Sequence, residues 1–265
     1  MRLVVRTWNL FHGNVSPPER HAFLADMVRL ASADVPDVLC LQELPVWALG
    51  RLGDWSGMTG VGDVGARPKV PPELGRRITQ LDPGLLRSAL TGQGNAVLLG
   101  PSLRVVEHEA LVLNPWSYRR RVSRRLGLGL REQFAWARER RICQVVRVRG
   151  EDGLTLVAAN LHATSFRPDK RLADAELFRA ATFVDGFARP HEPVLLCGDF
   201  NLSMRNSHVL PELLGPEWGF DGASPHGIDH VLSRGIGLGP PGHWPEARRR
   251  LDGRLLSDHS PLERA

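Results

Sequence analysis

The chain has 265 residues, 42% of them hydrophobic, with 34 Lys+Arg against 29 Asp+Glu, a net charge of +5 and a pI near 9.8. That length and apolar fraction allow a substantial buried core, which excludes a miniature fold dependent on disulfide staples. The positive balance favours polyanionic partners such as nucleic acid or an acidic lipid surface, although every cation except Lys69 and Lys170 is arginine, a bias that a GC-rich genome produces as readily as phosphate binding does.

Arg2 to Leu10 reads as a first strand; Arg6 interrupts its apolar run and no small-residue cleavage site follows, so it is not a signal peptide. Ser16-Pro-Pro-Glu19 has the capping-box pattern with proline at a helix start, and Phe23, Leu24, Met27, Val28 and Ala31 continue at helical spacing. Asp37 to Leu41 is a short apolar run suited to a buried strand, ending at Gln42-Glu43. Residues 44 to 93, rich in Gly and Pro, read as loop-rich decoration with a short helix around Gly75 to Leu81. Asn95 to Leu99 and Leu103 to Leu113 read as paired strands split by the turn Gly100-Pro101-Ser102. An arginine-dense connection covers 114 to 141, and Ile142 to Val148 with Leu154 to Leu161 form a hairpin about the turn Gly150 to Gly153.

Lys170 to Phe187 places Leu172, Ala175, Phe178, Ala181 and Val184 at the spacing of a helix with one buried stripe. Val194 to Cys197 is a buried strand ending at Gly198-Asp199; Ile228 to Leu232 and a short piece near Pro261 complete the strands. No repeat, linker or composition break divides the chain, so one α/β domain spanning 1 to 265 is expected. Cys40, Cys143 and Cys197 each sit in an apolar run and read as small buried hydrophobes. No apolar stretch approaches the roughly 18 residues of a membrane span. A soluble, cytoplasmic monomer is the expectation.

Polar residues recur at the ends of these short apolar runs: Asn9 in TWNL, Glu43 in VLCLQEL, Asn160 and His162 in AANLHA, Asp199 and Asn201 in LLCGDFN, Asp229 in GIDHV, and Asp258-His259 in LSDHS. Strand ends of this kind converge on one edge of a sheet, where a cleft can form. Hard divalent cations take oxygen ligands, which Glu43 and Asp258 supply, and a histidine held by a carboxylate, here His259 with Asp229, handles protons near neutral pH. Other chemistries find no footing: there is no G-x-S-x-G elbow, no H-E-x-x-H, no paired C-x-x-C, and neither lysine stands in a P-loop.

The ordered series TWNL, LQE, GNAVLL, an arginine pair before a strand, NLHA, GDFN, IDHV and SDHSP resembles the endonuclease/exonuclease/phosphatase superfamily, also called DNase I-like, from Trp8 to Pro261. The resemblance implies a DNase I-like two-sheet β-sandwich flanked by helices, four layers in the order α/β/β/α, with Mg²⁺ as cofactor and Mn²⁺ as substitute. It implies Glu43 as the metal carboxylate, with Asn9 and Asp258 as further ligands. Asp199 and Asn201 match the pair that positions the attacking water and the scissile phosphate. His259, oriented by Asp229, matches a general base or phosphate contact, and His162 a general acid or transition-state stabiliser, for which Glu73 lies in the stretch where a glutamate partner is sought. Arg140 most nearly matches a phosphate-contacting arginine, with Arg141 able to claim the same register; Asn160 is a second phosphate-contacting candidate.

Several residues read more plainly. His230 faces the side of its strand opposite Asp229, since neighbours alternate. The arginines from Arg119 to Arg138 read first as a solvated face, which their position ahead of Arg140 allows to track a polyanion. The tryptophans read as core or loop anchors, a few of them available to stack on bases. SPHGIDH lacks the tryptophan of abasic-site endonucleases similar to exonuclease III, and the segment from Asn201 to Asp229 is short, which disfavours that specialisation. A metal-dependent nuclease with nucleic acid as substrate is the expected function, with a lipid headgroup or small phosphoester as the alternative substrate.

Overall fold

Val5, Val38, Cys40, Val97 and Leu99 meet Val146, Val148, Ala158, Leu195 and Cys197 in a fully buried apolar layer that joins two β-sheets face to face. Alternate residues of each strand point into this layer and their neighbours point outward, so both faces of each sheet must be covered. The computed structural model describes residues 3 to 84 and 87 to 265; Arg2, where the first strand was predicted to begin, lies outside them.

In chain order the elements are β1 (Val5–Asn9), β2 (Val15–Ser16), α1 (Leu24–Ser32), β3 (Val38–Leu44), α2 (Leu52–Ser56), β4 (Thr59–Ala66), α3 (Pro72–Leu81), α4 (Arg87–Thr91), β5 (Gln93–Leu99), β6 (Leu103–Val112), α5 (Trp116–Leu126), α6 (Leu130–Ala137) and β7 (Ile142–Gly150). There follow β8 (Thr155–His162), α7 (Arg171–Phe187), β9 (Val194–Asp199), α8 (Val209–Leu213), β10 (Asp229–Arg234), β11 (Gly242–His243), β12 (Arg250–Leu251), β13 (Arg254–Leu256) and β14 (Leu262–Arg264). One sheet has the order β11-β14-β1-β3-β5-β4, the other β10-β9-β8-β7-β6, and β12-β13-β2 form a small third sheet. Helix α1 buries Leu24, Met27, Val28 and Ala31 against the first sheet, while α7 buries Leu177, Ala180, Ala181 and Val184 against the second. The result is the four-layer α/β/β/α sandwich. Among the described residues no helix is long and apolar enough to cross a membrane, and the three cysteines are buried and unbonded.

Four expectations change. The segment predicted to cap a helix instead begins with Ser16 in β2, paired with Leu255, and α1 starts only at Leu24. Residues 44 to 93 are not loop-rich decoration: besides α2, α3 and α4 they hold β4, whose Gly-containing sequence TGVGDVGA hides a strand that pairs along β5. β5 and β6 do not pair with each other; after Gly100 the chain crosses from the first sheet to the second, where β6 pairs with β7. On α7, Phe178 is exposed, and the buried stripe is rotated towards Ala173, Leu177 and Ala180.

Beneath one edge of the sandwich a polar pin ties the sheets together. Gln42 Nε2 donates to Thr7 Oγ1 at 2.9 Å and to Asn160 Oδ1 at 2.8 Å, while Asn160 Nδ2 donates to the carbonyls of Leu41 and Ala96. These groups are wholly buried and their bonds satisfy Asn160 at both ends of its amide, which fixes the separation of β3, β5 and β8 just below the residues that follow.

Candidate active site

Strand register brings the polar strand ends together. Parallel pairing sets Asn9 beside Gln42 and His162 beside Asp199, and antiparallel pairing sets Asp229 opposite Asp199. Glu43 reaches the same edge by a different device. The register of β3 on β5 shifts between Leu41 and Leu44, and Glu43 adopts φ 53°, so its carboxylate turns to the cleft while Leu44 returns to the core. Phe11, His12, Asn201 and Ser257, also at positive φ, lie around the same cleft. Each such residue costs about 1–3 kcal/mol and is held only by its surroundings.

Asp199 Oδ2 is the hub. It accepts from Asn9 Nδ2 at 2.9 Å and lies 3.6 Å from His162 Nε2 and 3.8 Å from His259 Nε2. Asn9 Nδ2 also donates to Glu43 Oε1 at 3.2 Å, while Asn9 Oδ1 accepts from the Phe11 amide, so this asparagine clamps two carboxylates together. Asp199 Oδ1 accepts from the Asn201 amide, and Asn201 itself is tied to Ala163 O and, through its own carbonyl, to Lys170. Burial raises the Asp199 carboxyl to about 6; the nearby His259 opposes that and Asp229 adds to it.

His259 Nδ1 lies 2.8 Å from Asp229 Oδ2. Burial by itself would lower its pKa, but Asp229 and Asp199 outweigh that and push it up to about 11, so without a bound ion His259 is a cation at neutral pH. His162 goes the other way: full burial, Arg141 and His259 lower it well below the usual histidine range, so it is neutral. Its companions are Arg141 Nη1, 2.9 Å from Nδ1, and the Gln93 amide at 2.7 Å, with Arg141 bridged on to Glu139 at 2.7 Å. Turning the Gln93 amide so that its oxygen faces His162 and Arg141 also lets its nitrogen donate to Glu139. Glu73 is elsewhere, exposed on α3 and paired with Arg76 and Arg77; the glutamates near His162 are Glu43, with Oε1 3.7 Å from Nε2, and Glu139, which reaches it through Arg141 and Gln93.

The structure therefore gathers Asn9, Glu43, His162, Asp199, Asn201, Asp229 and His259 at one edge, with Asp258 exposed on the rim. It separates two others. Asn160 is sealed in the polar pin between the sheets, out of reach of a substrate. Arg140 lines the cleft, but its guanidinium is held by the carbonyls of Val64 and Gly65, whereas buried Arg141 is the arginine in contact with His162. The two stand consecutively just ahead of β7 and turn to different partners. Sequence reasoning also passed over His12, buried with Nδ1 3.4 Å from Glu43 Oε2; the one signal for it was its place directly after the TWNL strand.

Two carboxylates and an imidazole cluster at the distances a divalent cation requires. Ligand atoms of Asp199, Asp229 and His259 lie within 4.8 Å of one another, and Asp229 Oδ1 is buried with no hydrogen-bond partner. A buried carboxylate oxygen left unsatisfied is costly, and a cation relieves it. The residues present thus fit such an ion.

A family model described as the Endonuclease/Exonuclease/phosphatase family matches residues 7 to 259. The chain belongs to this family. Its members are phosphoric ester hydrolases, and so is this chain. Among solved structures of the same fold are an endonuclease/exonuclease/phosphatase family protein from Bacteroides thetaiotaomicron (16% identity, TM-score 0.65, covering 99% of this chain and 96% of that one) and D. rerio TDP2 humanized by 14 mutations (16%, 0.63, 99% and 97%). A mannosyl-6-phosphatase from Bacteroides thetaiotaomicron is equally similar (17%, 0.65, 99% and 98%). No functionally curated protein matches the sequence.

The approach to Asp199 depends on one glycine. Gly198 has φ 135°, and a Cβ there would sit 1.9 Å from the Leu161 carbonyl oxygen on the neighbouring strand. Gly198→Ala is expected to destabilise the fold by about 2–4 kcal/mol and to displace Asp199; a denaturation midpoint equal to that of the parent protein would contradict this.

Proposed function

We propose that this phosphoesterase is a Mg²⁺-dependent nuclease, with Mn²⁺ as a substitute, that hydrolyses phosphodiester bonds of single strands or strand ends. The observation that carries this reading is the cleft above Asp199: about 800 Å³, with Glu43, Asp199, Asn201 and His259 at its base, Asp258 on its rim and Arg67, Lys69, Arg138, Arg140 and Arg141 on its walls. Five cations around one acidic base hold a polyanionic strand across the reacting phosphorus. The volume suits a few nucleotides better than a flat duplex face.

Glu43 and Asp199, clamped by Asn9, with Asp229 beside Asp199, would hold the divalent ion, which would polarise the scissile phosphate and its attacking water when bound. Asn201 and Asp199 position that water. Asp199 accepts the water's proton at the oxygen facing His162 and His259. His259, oriented by Asp229, faces the non-bridging oxygens and donates there as charge develops, and Arg141 offsets that charge from the wall. Neutral His162 stands beside the leaving oxygen.

The mannosyl-6-phosphatase shows that this fold also serves small phosphoesters, and a cleft of this volume accommodates one. Incubation with Mg²⁺ or Mn²⁺ and plasmid, single-stranded DNA and RNA distinguishes the two. Cutting of single strands is the expected result; release of phosphate from a small-ester panel with every nucleic acid left intact would overturn the nuclease reading.

A further inference from the structure

A second cleft lies on the far side of α6 from the catalytic one. The α5–α6 pair is firmly seated: Trp136 donates its indole N–H to Glu176 Oε1 at 2.7 Å, and the Tyr118 hydroxyl donates to the Ala175 carbonyl at 2.7 Å. Yet Trp116, Leu130 and Phe134 are 65%, 74% and 73% exposed. Together with Arg119, Arg120 and Arg124 they surround a concavity of about 450 Å³. On α6, Leu130, Phe134 and Ala137 form one stripe at helical spacing facing this concavity, while Ala135 and Arg138 face the catalytic cleft. One helix diameter, about 10–12 Å, separates the two, which is about three nucleotides of stacked strand at about 3.4 Å each.

We propose that this cleft is a subsite for single-stranded nucleic acid, taking a base of the strand whose phosphodiester lies in the catalytic cleft. The proposal rests on the nuclease reading above. Aromatic faces interleaved with arginines are what unpaired bases and their phosphates require: the ring stacks and the guanidinium neutralises. Arg120 lies 5.3 Å over the Trp116 ring, so a phosphate drawn to that arginine sits next to the aromatic that holds its base. An acidic bilayer also suits arginine and tryptophan, but here the apolar side chains line a hollow rather than a protruding tip, and a hollow favours an inserted planar group. Duplex DNA, with its bases already stacked, gains nothing from such a site.

The test is the double variant Trp116→Ala/Phe134→Ala. Binding of a labelled single-stranded oligonucleotide is measured in chelator, and turnover of bis(p-nitrophenyl) phosphate is measured in Mg²⁺. Loss of roughly tenfold or more in oligonucleotide affinity, with small-ester turnover and thermal midpoint unchanged, is the expected result. Unchanged oligonucleotide affinity, in a protein that still cuts single strands, would overturn the subsite and leave the nuclease reading standing. Wild-type protein that neither binds nor cuts any nucleic acid overturns both. Binding to vesicles rich in acidic phospholipid, lost in the variant and without oligonucleotide binding, assigns the face to membranes and likewise overturns the proposal. Should the double variant misfold, Arg119→Gln/Arg120→Gln must weaken single-strand binding and flatten its salt dependence by about one to two counterions; an unaltered slope refutes the subsite.

Discussion

Asp199→Asn is expected to lower kcat on any phosphoester by on the order of 10³-fold or more while leaving the protein as stable as before or more so. The amide is isosteric and keeps an oxygen for the Asn201 N–H, but it cannot accept a proton. The stability sign follows from burial. A carboxyl raised from 3.8 to about 6 in the folded state stabilises that state fully only below about 3.8, and this contribution is lost as pH rises through about 6. Ionised Asp199 therefore costs the metal-free fold stability at neutral pH. In chelator the asparagine variant should melt above the parent at pH 7, with the gap closing between pH 6 and 4. A variant that melts lower at every pH would show that Asp199 holds the fold together rather than being held by it.

The second large effect belongs to Asp229. Its Oδ2 is the partner of His259 Nδ1, and its charge is the first of the influences that keep that imidazole protonated. Asp229→Ala is expected to lower kcat by about 10²–10⁴-fold with little change in KM, because a misoriented, neutral His259 fails chiefly in the transition state. In the metal-free parent, the His259 pair stabilises the fold fully below about 6.5, and that contribution is lost as pH rises through about 11. Loss of Asp229 should lower the pH at which the imidazole titrates, followed by NMR, relative to the parent. A parent-like titration and kcat in the variant would remove His259 from the mechanism.

What could be read from the sequence was what short-range pattern controls. Fully apolar runs such as Val38 to Leu41 and Val194 to Cys197 admit little besides buried strands, and a polar residue directly after such a run lands at a sheet edge. That logic placed Asp199, Glu43 and Asp229 together. It failed wherever the backbone departs from regular alternation or a partner strand lies far away in sequence. Glu43 arrives through a left-handed residue at a register shift, which no propensity announces. β4 is an edge strand, so its glycines and exposed positions carry no apolar period. β5 and β6 resemble a hairpin in every local respect, and only the need to cover both sheets separates them. Arg140 stood one residue from Arg141, just ahead of β7; Asn160 shares a face of β8 with His162, two residues on, but lies deeper between the sheets, bonded to Leu41 and Ala96.

The charge pattern holds a further lesson. The long arginine connection, which reads first as a solvated face, folds into α5 and α6, with Tyr118 and Trp136 turned inward as anchors and Trp116 and Phe134 left outside. Composition supplies the cations, but only the packing of two helices shows which aromatics stand among them.

Metal removal tests the central claim most directly. Exhaustive chelation should abolish hydrolysis of every phosphoester the protein cuts. Added Mg²⁺ or Mn²⁺ should restore it in the parent, with Asp199→Asn inert throughout. Each restoring ion should also raise the parent's melting temperature, since an ion bound only by the folded state stabilises it by mass action. Undiminished hydrolysis in chelator, or full activity of Asp199→Asn with the ion present, would contradict the account.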